Sequence, residues 1–234
     1  MKLDGARILV TGGSLGIGKA AAQVLVEAGA RVMITGRHEE RLHRAAKEIG
    51  ALALVADAAS AKDADRTFAE VSRQLGGLDC LINNAGIGRF VDMEKVTFDE
   101  FDEVFRTNVF GAALMGARAA TMFKAQKSRG HIINIGSTAG LKGFAGGSIY
   151  AASKFALRGM TECWQAELRK HDIRVTLVAP SEVATAFGRT DGEERVAPPN
   201  KLTSMEIAHA IKSVLELDDR GMVPELSVWA TNPW

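Results

Sequence analysis

Arg7-Ile8-Leu9-Val10-Thr11 runs straight into Gly12-Gly13-Ser14-Leu15-Gly16-Ile17-Gly18. The first five residues are apolar and β-branched, as expected of a strand buried on both faces. The glycines then allow a tight turn, and the apolar stretch over 17–28 predicts a helix that stops at Gly29. A turn of this kind lets backbone approach a pyrophosphate, which the free N–H groups and dipole of the following helix would hold. Glycine clusters also serve ordinary turns, so position matters: this one joins the first strand to the first helix. Its spacing is G-x-x-x-G-x-G, not the commoner G-x-G-x-x-G.

Outward from this turn the same alternation repeats. Strands are predicted at 31–35, 51–56, 78–83, 131–135, 174–178 and 225–230. Helices are predicted at 39–49, 62–75, 97–126, 149–170 and 204–217, with Gly50 and Gly76 closing two of them. Thr97 and Glu100 fit a capping box at the start of the long helix. Asn108, a poor helix former, falls inside that helix. Alternation of this kind implies βαβ units, a parallel sheet and helices on both faces. The expected fold is α/β: one Rossmann-type doubly wound sheet of about seven strands, spanning 1–234 as a single domain. The polar stretch 186–200, with Gly188, Gly192, Pro198 and Pro199, reads as a loop of the kind that covers active sites.

The charge balance, 29 basic against 28 acidic residues, argues against nucleic acid or an anionic membrane as the main partner. No apolar run approaches the ~20 residues that span a bilayer, and the first residues contain no signal-peptide stretch, so a cytoplasmic location is expected. Two cysteines, Cys80 and Cys163, form neither a disulfide framework nor a metal cluster, and both read as buried among apolar neighbours. No metal site is expected.

Tyr150 and Lys154 lie four apart on a predicted helix and so share a face. Ser137 stands at the end of the 131–135 strand, where parallel sheets present their ligand crevice. Carbonyl reduction builds negative charge on oxygen, which a positioned acid must neutralise. A free phenol, with a pKa near ~10, is a poor catalyst at neutral pH, and a neighbouring ammonium favours its ionised form. Ser137 would hold the substrate oxygen against the tyrosine. Each residue alone has an ordinary alternative: a packed ring, a solvated ammonium, a helix cap. Tyr150 is the chain's only tyrosine, so its spacing was not picked from many.

Thr11-Gly12-x-x-x-Gly16-Ile17-Gly18, Asn83-Asn84-Ala85-Gly86, and Ser137 with Tyr150-x-x-x-Lys154 together resemble the short-chain dehydrogenase/reductase family, particularly its 3-oxoacyl-reductase-like members. The resemblance implies a hydride transfer between a nicotinamide and a carbonyl or secondary alcohol. It implies cofactor contacts from Gly12, Ser14, Gly16, Ile17, Gly18, Asp57, Ala58, Asn84, Ala85, Gly86, Tyr150 and Lys154. Pro180, Val183 and Thr185 would meet the nicotinamide end. Asn108 takes the family's fourth catalytic position, its backbone holding a water that relays protons from the lysine. Back-bonding of the Asn108 side chain within its own helix is the alternative. The second strand ends at Gly36-Arg37 without an acid; Arg37 can pair with a 2′-phosphate, which favours NADP, though NAD is possible and Arg37 could also be a solvated helix-start residue.

One departure is Ser181, where the family commonly has glycine. If that position needed φ > 0, serine would cost about 1 kcal/mol or more. The substrate stays open among a 3-oxoacyl thioester, a generic ketone and a sugar or polyol. By the same resemblance, residues 138–144, 87–90 and 186–200, including Phe90, Leu141, Phe144, Phe187, Lys142, Arg89, Arg189, Glu193, Glu194 and Arg195, would form its pocket, although the charged loop reads more readily as a solvated face. The resemblance also implies a homotetramer or homodimer through the fifth and sixth helices. Trp229 and Trp234 suggest a buried tail. A dinucleotide-sensing protein without chemistry is the competing class, and it would have no need of the full serine, tyrosine and lysine set.

Overall fold

The computed structural model describes residues 1–188 and 196–232. Arg189, Glu193, Glu194, Arg195 and Trp234, and with them part of the expected 186–200 loop, lie outside the described residues. The first cycle is β1 (Arg7–Thr11), α1 (Gly16–Glu27), β2 (Arg31–Gly36) and α2 (Glu39–Ile49). It is followed by β3 (Leu52–Val55), α3 (Ala61–Leu75), β4 (Cys80–Asn83), α4 (Phe98–Phe105) and α5 (Ala112–Gln126). The chain then forms β5 (Gly130–Ile135), α6 (Ser148–Leu168), β6 (Ile173–Pro180), α7 (Ser204–Glu216) and β7 (Glu225–Val228).

All strand pairs are parallel, in the order β3-β2-β1-β4-β5-β6-β7. The order reverses between β1 and β4, and the crevice beyond the carboxyl ends of these strands is where such sheets bind ligands. The apolar strands feed two cores. Ile8, Val10, Ile34 and Ile82 join α1, α2 and α7 through Leu25, Leu42 and Ile211. Leu9, Met33, Leu81 and Ile132 meet α3 and α5 on the other face through Phe68, Val71, Met115 and Phe123. Strands buried on both faces explain why the sequence shows continuous apolar runs and no alternation.

The expected long helix over 97–126 is not one helix. Thr97 and Glu100 do form the reciprocal capping box at its start. Residues Arg106–Gly111 then widen into a π turn before α5 resumes. An inserted π turn shifts the side chains around it and is common at functional sites; here it turns Asn108 inward, and the residue is buried. A second correction concerns Cys163. It is exposed on α6, because that helix buries Ser153, Lys154, Leu157, Thr161 and Leu168 on a different stripe. Trp229 is likewise 62% exposed and not part of a buried tail.

Candidate active site

A cleft of about 1000 Å³ runs along the carboxyl ends of the strands. Its lining includes Gly12, Ser14, Gly16 and Ile17 from the first turn, then Arg37, Asp57, Ala58, Asn84, Ala85 and Gly86. Ser137, Tyr150, Lys154, Pro180, Val183 and Thr185 line its other end. Gly18 and Asn108 are the residues of the expected set that stand behind this surface and not on it.

The glycine-rich turn is shaped by close approach. Gly12 has φ +65°, a region that favours glycine. A side chain on Gly18 would lie 2.3 Å from both the Asn84 amide and the Gly12 carbonyl oxygen. Leu15 occupies the cap position of α1 and gives no side-chain hydrogen bond, and the first turn carries no acid. That helix start therefore suits an external anion. By contrast α3 and α7 are capped by Ser60 and Thr203.

Asn83 and Asn84 act mainly as ties within the protein. The Asn84 amide donates to the carbonyls of Thr11 and Gly12, both at 3.0 Å, while Thr11 Oγ1 accepts from the N–H groups of Asn84 and Ala85. This couples the end of β4 to the phosphate turn. Asn83 donates to Asn134 at 2.9 Å, and Asn134 donates to Thr161 on α6 at 2.8 Å. Buried polar groups joined in this way fix strand register and helix position together.

At the β2 end, Arg37 is joined by a residue that the sequence reading missed. Arg41 lies in the first turn of α2 and lines the same wall. Its Nε is buried without a hydrogen-bond partner. A buried guanidinium donor left open costs free energy unless an acceptor arrives, so this wall fits a phosphate. The four-residue spacing from Arg37 was the available signal. Asp57 is committed locally, its Oδ1 accepting from Ala59 N–H at 2.9 Å.

Ser137 caps a short turn, accepting from Ala139 N–H at 3.1 Å, and also faces the cleft. Lys154 is buried, and its Nζ donates to the Ile135 carbonyl at 2.8 Å while standing 5.7 Å from the centre of the Tyr150 ring. Burial pushes the lysine down to about 8. Burial pushes Tyr150 up to about 12, against a hydrogen bond with Ser137 that pulls it down. In the protein by itself the neighbouring ammonium does not offset the burial of the phenol. Both groups pay for leaving water, yet an amine at about 8 still carries its proton at neutral pH.

Asn108 does not back-bond within its helix. Its Oδ1 accepts from Ile87 N–H at 2.8 Å, and its Nδ2 donates to Ile87 O at 2.9 Å and to Ser153 Oγ at 3.0 Å. Ser153 in turn donates to the Tyr150 carbonyl at 2.7 Å. One side chain therefore braces the loop after β4 against the start of α6. Ser153 and Ile135 carried no sequence signal, since each acts through atoms that tertiary folding brings near.

Ser181 is not strained: the non-glycine residues with positive φ among those described are Lys127 and Asp172. Its N–H donates to Val228 O at 2.8 Å, tying the turn after β6 to β7. Thr185 Cγ2 would lie 3.3 Å from a side chain at Gly16, so this segment reaches across to the phosphate turn.

A parallel sheet of this order, with a glycine-rich turn leading into a helix at its reversal, defines a doubly wound α/β protein of the kind that binds nucleotides. A family model described as short chain dehydrogenase matches residues 6–195, and the chain belongs to that family of oxidoreductases. The chain is 37% identical over 187 residues to a 3-oxoacyl-[acyl-carrier-protein] reductase of Bos taurus, covering 79% of this chain and 78% of that protein. It is 36% identical over 185 residues to a sorbitol dehydrogenase of Cereibacter sphaeroides, covering 78% and 72%. Among solved structures, a metagenomic short-chain oxidoreductase in complex with NADP superposes with a TM-score of 0.84 at 32% identity, covering 97% of this chain and 98% of that one. No helix among the described residues is long and apolar enough to cross a membrane.

Proposed function

We propose that this protein is an NADP-dependent reductase or dehydrogenase that interconverts a ketone and a secondary alcohol, with Tyr150 moving the proton. The observation that carries this is the meeting of Ser137, Tyr150 and Lys154 at the carboxyl end of β5, inside the cleft that begins at the phosphate turn.

Gly12, Ser14, Gly16 and Ile17 would receive the pyrophosphate, with Gly18 behind them allowing the close packing of the turn. Asp57 and Ala58 would border the adenine, and Pro180, Val183 and Thr185 the nicotinamide. Arg37 and Arg41 support NADP over NAD, because a 2′-phosphate supplies the acceptor that the buried Arg41 Nε lacks. When bound, the nicotinamide supplies or takes up the hydride and, oxidised, adds positive charge near the phenol.

The residues of the chain do the rest. Ser137 Oγ and Tyr150 Oη together grip the carbonyl oxygen and fix its distance and direction. A phenol pushed up to about 12 is fully protonated near neutral pH, which is the form that delivers a proton to a reduced carbonyl oxygen. Lys154, held by Ile135 O, stabilises the phenolate left behind and resupplies its proton. Asn108 holds Ile87 and Ser153, and so keeps Tyr150 and Lys154 aimed into the cleft.

The proposal includes one domain over 1–234 and a homo-oligomer, tetramer or dimer. Phe110 beside α5 and Phe155 on α6 support the latter, since both phenyl rings are about half exposed. An exposed free thiol at Cys163 suits the reducing cytoplasm. The test is consumption of NADPH, followed by absorbance, with a panel of carbonyl compounds. Tyr150→Phe is expected to lower the rate by at least ~10²-fold. An unchanged rate overturns the assignment.

A further inference from the structure

The wall around Tyr150 is built of phenyl rings, each brought by a different loop. Phe90 follows β4, Phe144 lies between β5 and α6, and Phe187 follows β6. The Tyr150 ring centre is 5.6 Å from that of Phe90 and 5.2 Å from that of Phe187. Phe90 is 6.1 Å from Phe144 and 6.3 Å from Phe187, so the rings form one continuous surface. Two of these rings are seated on glycine backbone. A side chain at Gly147 would lie 2.5 Å from Phe144, and one at Gly88 would lie 2.7 Å from Phe187. Their positions are thereby set by the main chain and not by loose contact.

Phe90 and Phe144 each leave 49% of their surface exposed, both in the concavity that holds Tyr150. Apolar area presented inside a cleft gains most from an apolar occupant. Among the described residues, charges near the rings are mostly paired with one another. Arg89 pairs with Glu103 at 2.9 Å, and Glu182 pairs with Lys201 at 2.8 Å. Lys142 is exposed and stands at the rim. A polyol pressed on the rings would lose water from its hydroxyls and find no partner on the rings themselves, which costs free energy for each unpaired group.

We infer that the preferred substrate is a ketone carrying an aromatic ring or an equally bulky apolar group, seated against Phe90 and Phe144 while its oxygen meets Ser137 and Tyr150. This rests on the proposed function and names the substrate class for the same site. The step balances: NADPH gives a hydride to the carbonyl carbon and becomes NADP+, and Tyr150 gives its proton to the oxygen, leaving a secondary alcohol.

The test compares kcat/KM with NADPH for acetophenone, acetone, fructose and acetoacetyl-CoA. The wild-type chain is expected to favour acetophenone over each of the others. Phe144→Ala should reduce the acetophenone-to-acetone ratio by about 10-fold or more, chiefly through KM, and Phe144→Leu should restore most of it. A ketose or acyl thioester preferred over acetophenone overturns the inference, as does a ratio unmoved by Phe144→Ala. In those cases a Tyr150-dependent rate leaves the proposed function standing. If none of the carbonyls consumes NADPH, both fail.

Discussion

Replacing Lys154 with methionine removes a charge that the fold buries at a cost. The amine titrates at about 8 in the folded chain against an ordinary 10.5, and burial is the cause. Between these two values the unfolded chain binds more protons than the folded one, so this lysine makes stability rise with pH. Below pH 8 both states carry the proton, and the full desolvation penalty applies. From pH 7 to pH 9.5 the wild type should gain about 2 kcal/mol relative to Lys154→Met, approaching about 3 kcal/mol above 10.5. The lost bond to the Ile135 carbonyl affects the variant equally at every pH, so it drops out of the slope. Tyr150, pushed up to about 12, starts to oppose the trend only as unfolded tyrosine ionises near ~10, and the window stays below that. Urea unfolding of both proteins at several pH values measures the difference. A difference constant to within about 0.5 kcal/mol across the window refutes the burial of a strained cation at this site.

Two more outcomes are expected. Asn108→Ala strands the N–H and C=O of Ile87 and should destabilise the chain by about 2–4 kcal/mol, read from the urea midpoint. A loss below about 0.5 kcal/mol would show that Asn108 is not the brace between the β4 loop and α6. Arg37→Ala and Arg41→Ala should each raise KM for NADPH by about 10-fold or more while leaving KM for NADH nearly unchanged, in steady-state kinetics with either cofactor. Equal effects on both cofactors would mean that these arginines do not read the 2′-phosphate.

Much of this protein was legible along the chain because its signals are local. A parallel strand buried on both faces needs a continuous apolar run, as in Arg7–Thr11 and Gly130–Ile135. The phosphate turn needs glycines in a row, and Tyr150 and Lys154 need one helix face. Element boundaries followed, and so did the family and the parallel sheet. The π turn at Arg106–Gly111 was not legible, because it is held open by contacts of Asn108 with Ile87, 21 residues away in the chain, and with Ser153, 45 residues away. Arg41 became informative only when burial left its Nε without a partner. The ionisation of Tyr150 and Lys154 was only half legible for a related reason: sequence shows which charges are near, but solvent exclusion is a property of the assembled cleft. The wall of rings around Tyr150 is the clearest case. Phe90, Phe144 and Phe187 sit in three unrelated loops, and nothing in their spacing links them until the sheet brings the ends of β4, β5 and β6 side by side. The sequence alone determined the sheet, the glycine-rich turn and the placing of Ser137, Tyr150 and Lys154 at a strand end and on one helix face, whose geometry comes from backbone period and strand order. Tertiary structure decided what surrounds them, because desolvation and ring contact depend on neighbours that the chain keeps far apart.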